Sequence, residues 1–186
     1  YYLIKEVSFG NDGTISKEKL QDCINSDLAN NYGNLCQRVF AFLKKNCSNK
    51  IPKSDFFSDE DKILTNKLKK DVNKLSELVN KQDLNNYIKK VIEYSFDSNK
   101  YFNDSEPWTL KKINEKKMNA VLYSIVEQIK NISILLLPII PSSANKILDI
   151  INVKKEMRVI SEINKKESLT HDKELGNIEI LFKKVE

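Results

Sequence analysis

The sequence is short of the residues that break chains. Its 186 residues include only 4 glycines and 4 prolines, too few for the many turns of a β-sandwich. Cysteine is scarce as well. Cys23, Cys36 and Cys47 are odd in number, widely spaced, without a C-x-x-C pair and without a nearby histidine. That pattern argues against a disulfide framework or a zinc site and fits reduced thiols. The one histidine, His171, sits in the polar run SLTHDKE and reads as a surface residue, not a catalyst or metal ligand. No apolar run is long enough to span a bilayer. ISILLLPIIP at 132–141 falls short of the ~20 residues required, and Pro138 and Pro141 break it further, so it reads as the buried end of a helix. FGNDGT at 9–14 is a turn cluster; with no G-K-[ST] after its glycines it is not a phosphate loop. No signal peptide is visible, and the apolar, non-methionine start YYLIKEVSFGNDG suggests a piece of a longer chain.

Arginine is the most telling scarcity. Of 31 Lys+Arg, only Arg38 and Arg158 are arginine. The net charge of +5 and pI of about 8.9 make nucleic acid a plausible partner without demanding it.

What is present is helical. Hydrophobic residues make up 40% of the chain, enough for a core, and they recur at intervals of three and four. Ser16 is a suitable cap for a short helix over about 17–24. A longer helix starts at Ser26 or Asp27 and runs to about 46, with Leu28, Tyr32, Leu35, Val39 and Phe42 as its stripe. After a loop at 48–57, Ser58 caps a helix with Leu64, Leu68, Val72, Leu75 and Leu78. The next, about 83–103, carries Leu84, Tyr87, Ile88, Val91 and Ile92. SEPW at 105–108 interrupts it, since Pro107 cannot continue a helix but suits a first turn. A long helix bearing Met118, Val121, Leu122, Ile125, Ile129 and Ile132 follows, then one capped by Ser142. Residues 153–186 are charged and weakly patterned; NIEILF at 177–182 reads as a short strand or an extended docking tail. The expected fold is all-α: an antiparallel bundle of about five helices with a C-terminal extended tail. Residues 1–15 form a linker, 16–152 the helical domain and 153–186 the tail.

Two residues stand out on this scaffold. At 100° per residue, Asn34 and Arg38 lie on one flank of their helix, roughly 120° and 80° from the centre of the apolar stripe. Both therefore reach one point at the border of core and solvent. Arginine brings a rigid planar fork of donors that lysine cannot copy, and asparagine adds an acceptor. Together they match the pairing edge of a base; the plainer reading is a surface arginine bonded through Asn34. Trp108, the only tryptophan, follows a proline at a helix entrance. It is expected to be partly exposed, as a stacking platform for an unpaired base or as a plug over the bundle end.

The run INSDLANNYGNLCQRVFAF resembles the start of the anticodon-binding domain of the methionyl-tRNA synthetase family, whose pattern there is close to N-A-D-L-A-N-x-x-G-N-L-x-x-R. The match falls at Asn25, Asp27, Leu28, Ala29, Asn30, Gly33, Asn34, Leu35 and Arg38, with departures at Ser26, Cys36 and Gln37. YYLIKEVSFGNDG resembles the segment that leaves the family's catalytic domain, and PWTLKK its tryptophan-bearing turn. The resemblance implies a helical bundle whose Asn34, Arg38 and Trp108 recognise the CAU anticodon of methionine tRNA. By that resemblance Trp108 stacks on the splayed first base, while Asn34 and Arg38 read its edge. Lys44, Lys45, Lys111, Lys112, Lys116 and Lys117 are candidates for steering the phosphate backbone. The family's H-I-G-H and K-M-S-K-S signatures are absent, so no catalytic residue, metal or cofactor is expected in this chain. ATP belongs to the full-length enzyme, a cytoplasmic protein whose own catalytic domain is the other implied partner. Neither membrane nor DNA is expected. The competing readings are the anticodon domain of another class I synthetase, and a helical protein-interaction module without an RNA role.

Overall fold

The computed structural model describes residues 1–8, 10–165, 169–177 and 179–186. After a short helix α1 (Tyr2–Glu6) and the turn at 9–14, of which Phe9 lies outside the described residues, the chain runs as one unbroken helix from Lys17 to Asn46. It has three parts: α2 (Lys17–Cys23), a π-helical segment π1 (Ile24–Gly33) and α3 (Asn34–Asn46). Ser16 caps its start, accepting from Lys19 N. Neither Ser26 nor Asp27 begins a new helix. The backbone stays right-handed helical through Cys23, Ile24, Gly33 and Asn34, and Asn34 N–H donates to Ala29 O, five residues back. π-Helices occur mostly as single-turn bulges; ten residues is a long one.

The residues of π1 explain its persistence. Asp27, buried, accepts from Tyr1 Oη at 2.7 Å and pairs with Lys5 Nζ at 2.6 Å, tying π1 to α1. A Cβ on Gly33 would stand 2.8 Å from Leu28 O and 3.0 Å from the Phe182 ring, so only glycine fits where the widened helix meets the tail. Asn31, also buried, faces α5 (Leu84–Asp104): its Nδ2 donates to Ile92 O, and its Oδ1 accepts from Ser95 Oγ and Asn99 Nδ2.

The remaining elements are α4 (Asp59–Asn80), α6 (Pro107–Ile113), α7 (Glu115–Leu136) and α8 (Pro141–Ile150). Ser58 and Asp61 form a reciprocal capping box at the start of α4. The helix expected after Pro107 is two helices, because Asn114 ends α6 and caps α7, its side chain accepting from Lys117 N. Pro141 takes the first position of α8 and Ile140 precedes it, so Ser142 lies inside the helix and is not its cap. α7 is buried on all sides from Ala120 to Leu136 and touches α3, α4, α5, α6 and α8. It is the axis of the bundle, and the predicted stripes of the other helices turn towards it. Leu35, Val39, Leu68, Leu75, Ile88 and Val91 are all buried.

α7 carries a buried cation. Burial lowers Lys130 from 10.5 to about 8; the nearby Glu127 and Glu162 act in the opposite sense and Lys69 in the same one. Below about pH 8 the group is charged in both the folded and unfolded states. Between about 8 and 10.5 only the unfolded state holds the proton, so stability rises with pH. Relative to Lys130→Met, wild type should therefore gain unfolding free energy across that window and level off above it. Denaturant titrations of both proteins from pH 7 to 11 check this; a difference that stays constant with pH refutes it.

Beyond α8 the tail packs on the bundle without forming a strand among the described residues. Lys50 and Glu174 make one isolated antiparallel bridge, Gly176 N donates to Ile150 O, and Asn25 exchanges two hydrogen bonds with the Val185 main chain. Phe182 sits 6.2 Å from the Tyr32 ring. Of NIEILF, Ile178 lies outside the described residues; the rest forms no strand and bends at Leu181. His171 is half-buried, not a free surface residue: it stacks on Tyr123 at 5.4 Å, with Nδ1 3.3 Å from Ile51 O. Arg158 fastens the start of the tail to α8 through Val153 O, Asn145 and Asp149. The three cysteines are unbridged. Among the described residues no helix is long and apolar enough to cross a membrane, and no cluster could hold a metal.

Candidate nucleic-acid interface

Asn34 opens α3, Arg38 follows one turn later, and both are half-buried. Arg38 does not bond Asn34. Its Nη2 donates to Asn103 Oδ1 at 2.6 Å, and its guanidinium lies over the Phe102 ring, 5.0 Å from the centroid. Two residues at the end of α5, 64 and 65 positions away, thus fix the group in place. A cation over an aromatic face is attracted by the ring quadrupole, and the hydrogen bond sets the rotation of the fork. No carboxylate lies within 4.0 Å of Arg38 among the described residues, so its charge is not neutralised locally. The Asn34 side chain makes no hydrogen bond among the described residues, leaving its donors and acceptor available.

Trp108 stands in the first turn of α6, 45% exposed. Its one aromatic neighbour among the described residues is Phe102, edge to face at 6.0 Å and 80°. Phe102 is buried and also meets Phe42 edge-on at 6.3 Å. One buried ring therefore positions both Arg38 and Trp108, which sequence spacing alone could not join. The approach of α6 is set by Glu106, which adopts a left-handed conformation with φ 43°. A residue before proline is sterically kept out of the right-handed helical region, and the left-handed turn swings Pro107 and Trp108 back beside α5. Lys111 Nζ then bonds Asn46 Oδ1 at 2.8 Å, closing α6 against the end of α3. Nearby, Tyr101 donates to Asp61, fastening the end of α5 to the start of α4. Burial first, and that carboxylate second, push the Tyr101 hydroxyl up. Burial likewise raises the Cys47 thiol, opposed by Lys111.

Lys44 and Lys45 end α3, Lys111 and Lys112 end α6, and Lys116 and Lys117 begin α7. All six are exposed, and none forms an ion pair among the described residues. The sequence reading missed Phe102 and Asn103. Their only local signal is that they directly precede the turn carrying Pro107 and Trp108.

An all-α bundle with an exposed tryptophan, a fixed arginine and a basic rim at one end has the architecture of a helical anticodon-binding domain. A family described as the anticodon binding domain of methionyl tRNA ligase matches residues 51–186, and one described as tRNA synthetases class I (M) matches residues 1–40. The chain belongs to the methionyl-tRNA ligase anticodon-binding family. It is 37% identical over 190 residues to the methionine–tRNA ligase of Rickettsia felis, covering all of this chain and 37% of that protein. To the Brucella suis methionine–tRNA ligase it is 34% identical over 163 residues, covering 88% and 32%. Its fold matches the apo crystal structure of Mycobacterium tuberculosis methionyl-tRNA synthetase with a TM-score of 0.93 and 29% identity, over 100% of this chain and 38% of that one. A second structure of that enzyme, bound by methionyl-adenylate, matches with a TM-score of 0.92 and 29% identity over 98% and 37%. The chain thus spans about a third of the length of these relatives.

Proposed function

We propose that this chain binds the anticodon loop of methionine tRNA and selects the CAU anticodon, with residues 16–152 as the binding body. The observation that carries the reading is the Arg38–Phe102–Trp108 group: an exposed stacking surface and a preset donor fork held by one ring, beside the unengaged amide of Asn34. RNA loops are recognised by splaying bases onto aromatic platforms and hydrogen-bonding their edges. In this reading Trp108 stacks on the first anticodon base, while Arg38 and Asn34 meet its pairing edge. The exposed lysines at the ends of α3 and α6 and the start of α7 attract the phosphates. Methionine activation with ATP and transfer to tRNA belong to the remainder of the full-length cytoplasmic enzyme, through its own catalytic domain; the methionyl-adenylate bound to the similar mycobacterial enzyme supports the activation step.

Binding to tRNAs that differ only in the anticodon tests the proposal. Preference for CAU supports it; preference for another anticodon indicates a different synthetase, and no binding indicates a protein-interaction module. Arg38→Lys sharpens the test. Charge is retained and the fork is lost, so overall attraction and its salt dependence should change little. Discrimination at the first base should fall by ~1 kcal/mol or more, by analogy with base-edge contacts in duplexes. Equal discrimination by the two proteins assigns Arg38 a packing role.

A further inference from the structure

Phe96 is 51% exposed on α5, one of few large aromatic side chains left open to solvent. Its direction follows from its neighbours. Ile92 O, Ser95 Oγ and Asn99 Nδ2 all bond Asn31 on π1, and Asn103 Oδ1 bonds Arg38 on α3. That face of α5 therefore lies against the helix carrying Asn34. At 100° per residue Phe96 is within about 20° of Asn103 and about 40° of Ile92. It stands at the solvent edge of the seam, on the column that holds Arg38. Seven residues separate it from Asn103, about 10 Å along the axis, which is about three stacked-base steps at roughly 3.4 Å each. Two further groups flank this position. Asn30, exposed and one turn before Asn34, makes no side-chain hydrogen bond among the described residues. Lys100, one turn beyond Phe96, is exposed and forms no ion pair among the described residues.

We propose that Phe96 is a second base-stacking platform, taking another nucleobase of the same loop, with Asn30 available to its edge and Lys100 to the adjoining phosphate. The inference rests on the anticodon-binding reading and extends the interface from one base to a track along the α5–π1 seam. An aromatic face stacks any base, so this platform adds affinity and holds the loop open without specifying sequence.

The test uses the whole chain and an anticodon stem-loop RNA carrying 2-aminopurine at one loop position at a time. Phe96→Ala should weaken binding about fivefold or more. It should also abolish the 2-aminopurine signal change at one loop position other than the first anticodon base, while Phe96→Trp restores both. Because about half of Phe96 is exposed, melting should fall by only a few degrees. If wild type binds the RNA and Trp108→Ala weakens it, yet Phe96→Ala binds as wild type with every signal unchanged, the second platform is refuted and the anticodon reading stands. If wild type shows no binding to the RNA, both fall together.

Discussion

Asn31→Leu is expected to lower the unfolding free energy by ~2–4 kcal/mol. The side chain is 1% exposed and stands between π1 and α5. It donates to Ile92 O at 3.4 Å and accepts from Ser95 Oγ at 3.0 Å and Asn99 Nδ2 at 2.9 Å. Leucine has similar bulk but no polar atoms. The change leaves the fully buried Ser95 hydroxyl without its acceptor, at ~1–3 kcal/mol for a stranded buried group. It also removes the bonds to Ile92 O and Asn99 Nδ2, the latter keeping Asn31 O and Ser95 O. For a domain of this length that loss corresponds to a fall in Tm of roughly 4–16 °C. Denaturant unfolding measures it, with the exposed neighbour change Asn30→Leu as a control that should stay within ~0.5 kcal/mol. Adding Ser95→Ala should recover part of the loss, since removing both partners removes the orphan hydroxyl. A loss below ~0.5 kcal/mol for Asn31→Leu would mean that the Asn31 bonds do not hold π1 to α5.

Trp108→Ala has the opposite profile. Nearly half of the ring is exposed, and its aromatic contact is an edge-on one with Phe102, worth ~0.5–1.5 kcal/mol. Stability should therefore fall by that amount together with the loss of the covered part of the ring, short of emptying a packed core site. If the free face stacks a base, affinity for a CAU stem-loop should fall by ~1–3 kcal/mol, about 5- to 150-fold, and Trp108→Phe should keep most of it. The ring is the only tryptophan, so intrinsic fluorescence reports its occupancy directly in wild type. A stability loss of ~3–5 kcal/mol, the size expected for emptying a packed core site, with unchanged binding by the folded protein, would make Trp108 a plug over the bundle end.

Which surfaces the helices bury was legible in the sequence because burial has the helical period, and leucine and isoleucine mark it on α3, α4, α5 and α7. The widening of π1 was not. Its residues have no composition of their own, and the stripe Leu28, Tyr32, Leu35 continues across it. What holds π1 is made by partners far away in the chain: Tyr1 and Lys5 on Asp27, Ser95 and Asn99 on Asn31, Phe182 against Gly33. Much of the run that resembles the synthetase family therefore has a structural explanation here, with Asn25, Asp27 and Gly33 engaged in packing and Asn34 left unengaged. The border position of Arg38 and the exposure of Trp108 could be read from helical phase and from Pro107. That one buried ring joins them could not, since Phe102 is remote from Arg38 in sequence. The caps followed the same division. Ser16 and Ser58 act locally and were visible, whereas Pro141 displaced the expected Ser142 by taking the first helical position itself.

The hydrogen bonds between Asn25 and Val185 span 160 residues of chain, and that span sets a timetable for synthesis. At ~5–20 residues per second, the ribosome needs on the order of 10–30 s after making Asn25 before it makes Val185. Over that interval π1 has neither the Val185 main chain nor the Phe182 ring beside Tyr32 and Gly33. The nascent helix must keep its widened turn through α1 and α5 alone, or acquire it only when the tail arrives. The segment around Val185 thus completes a helix made 160 residues before it.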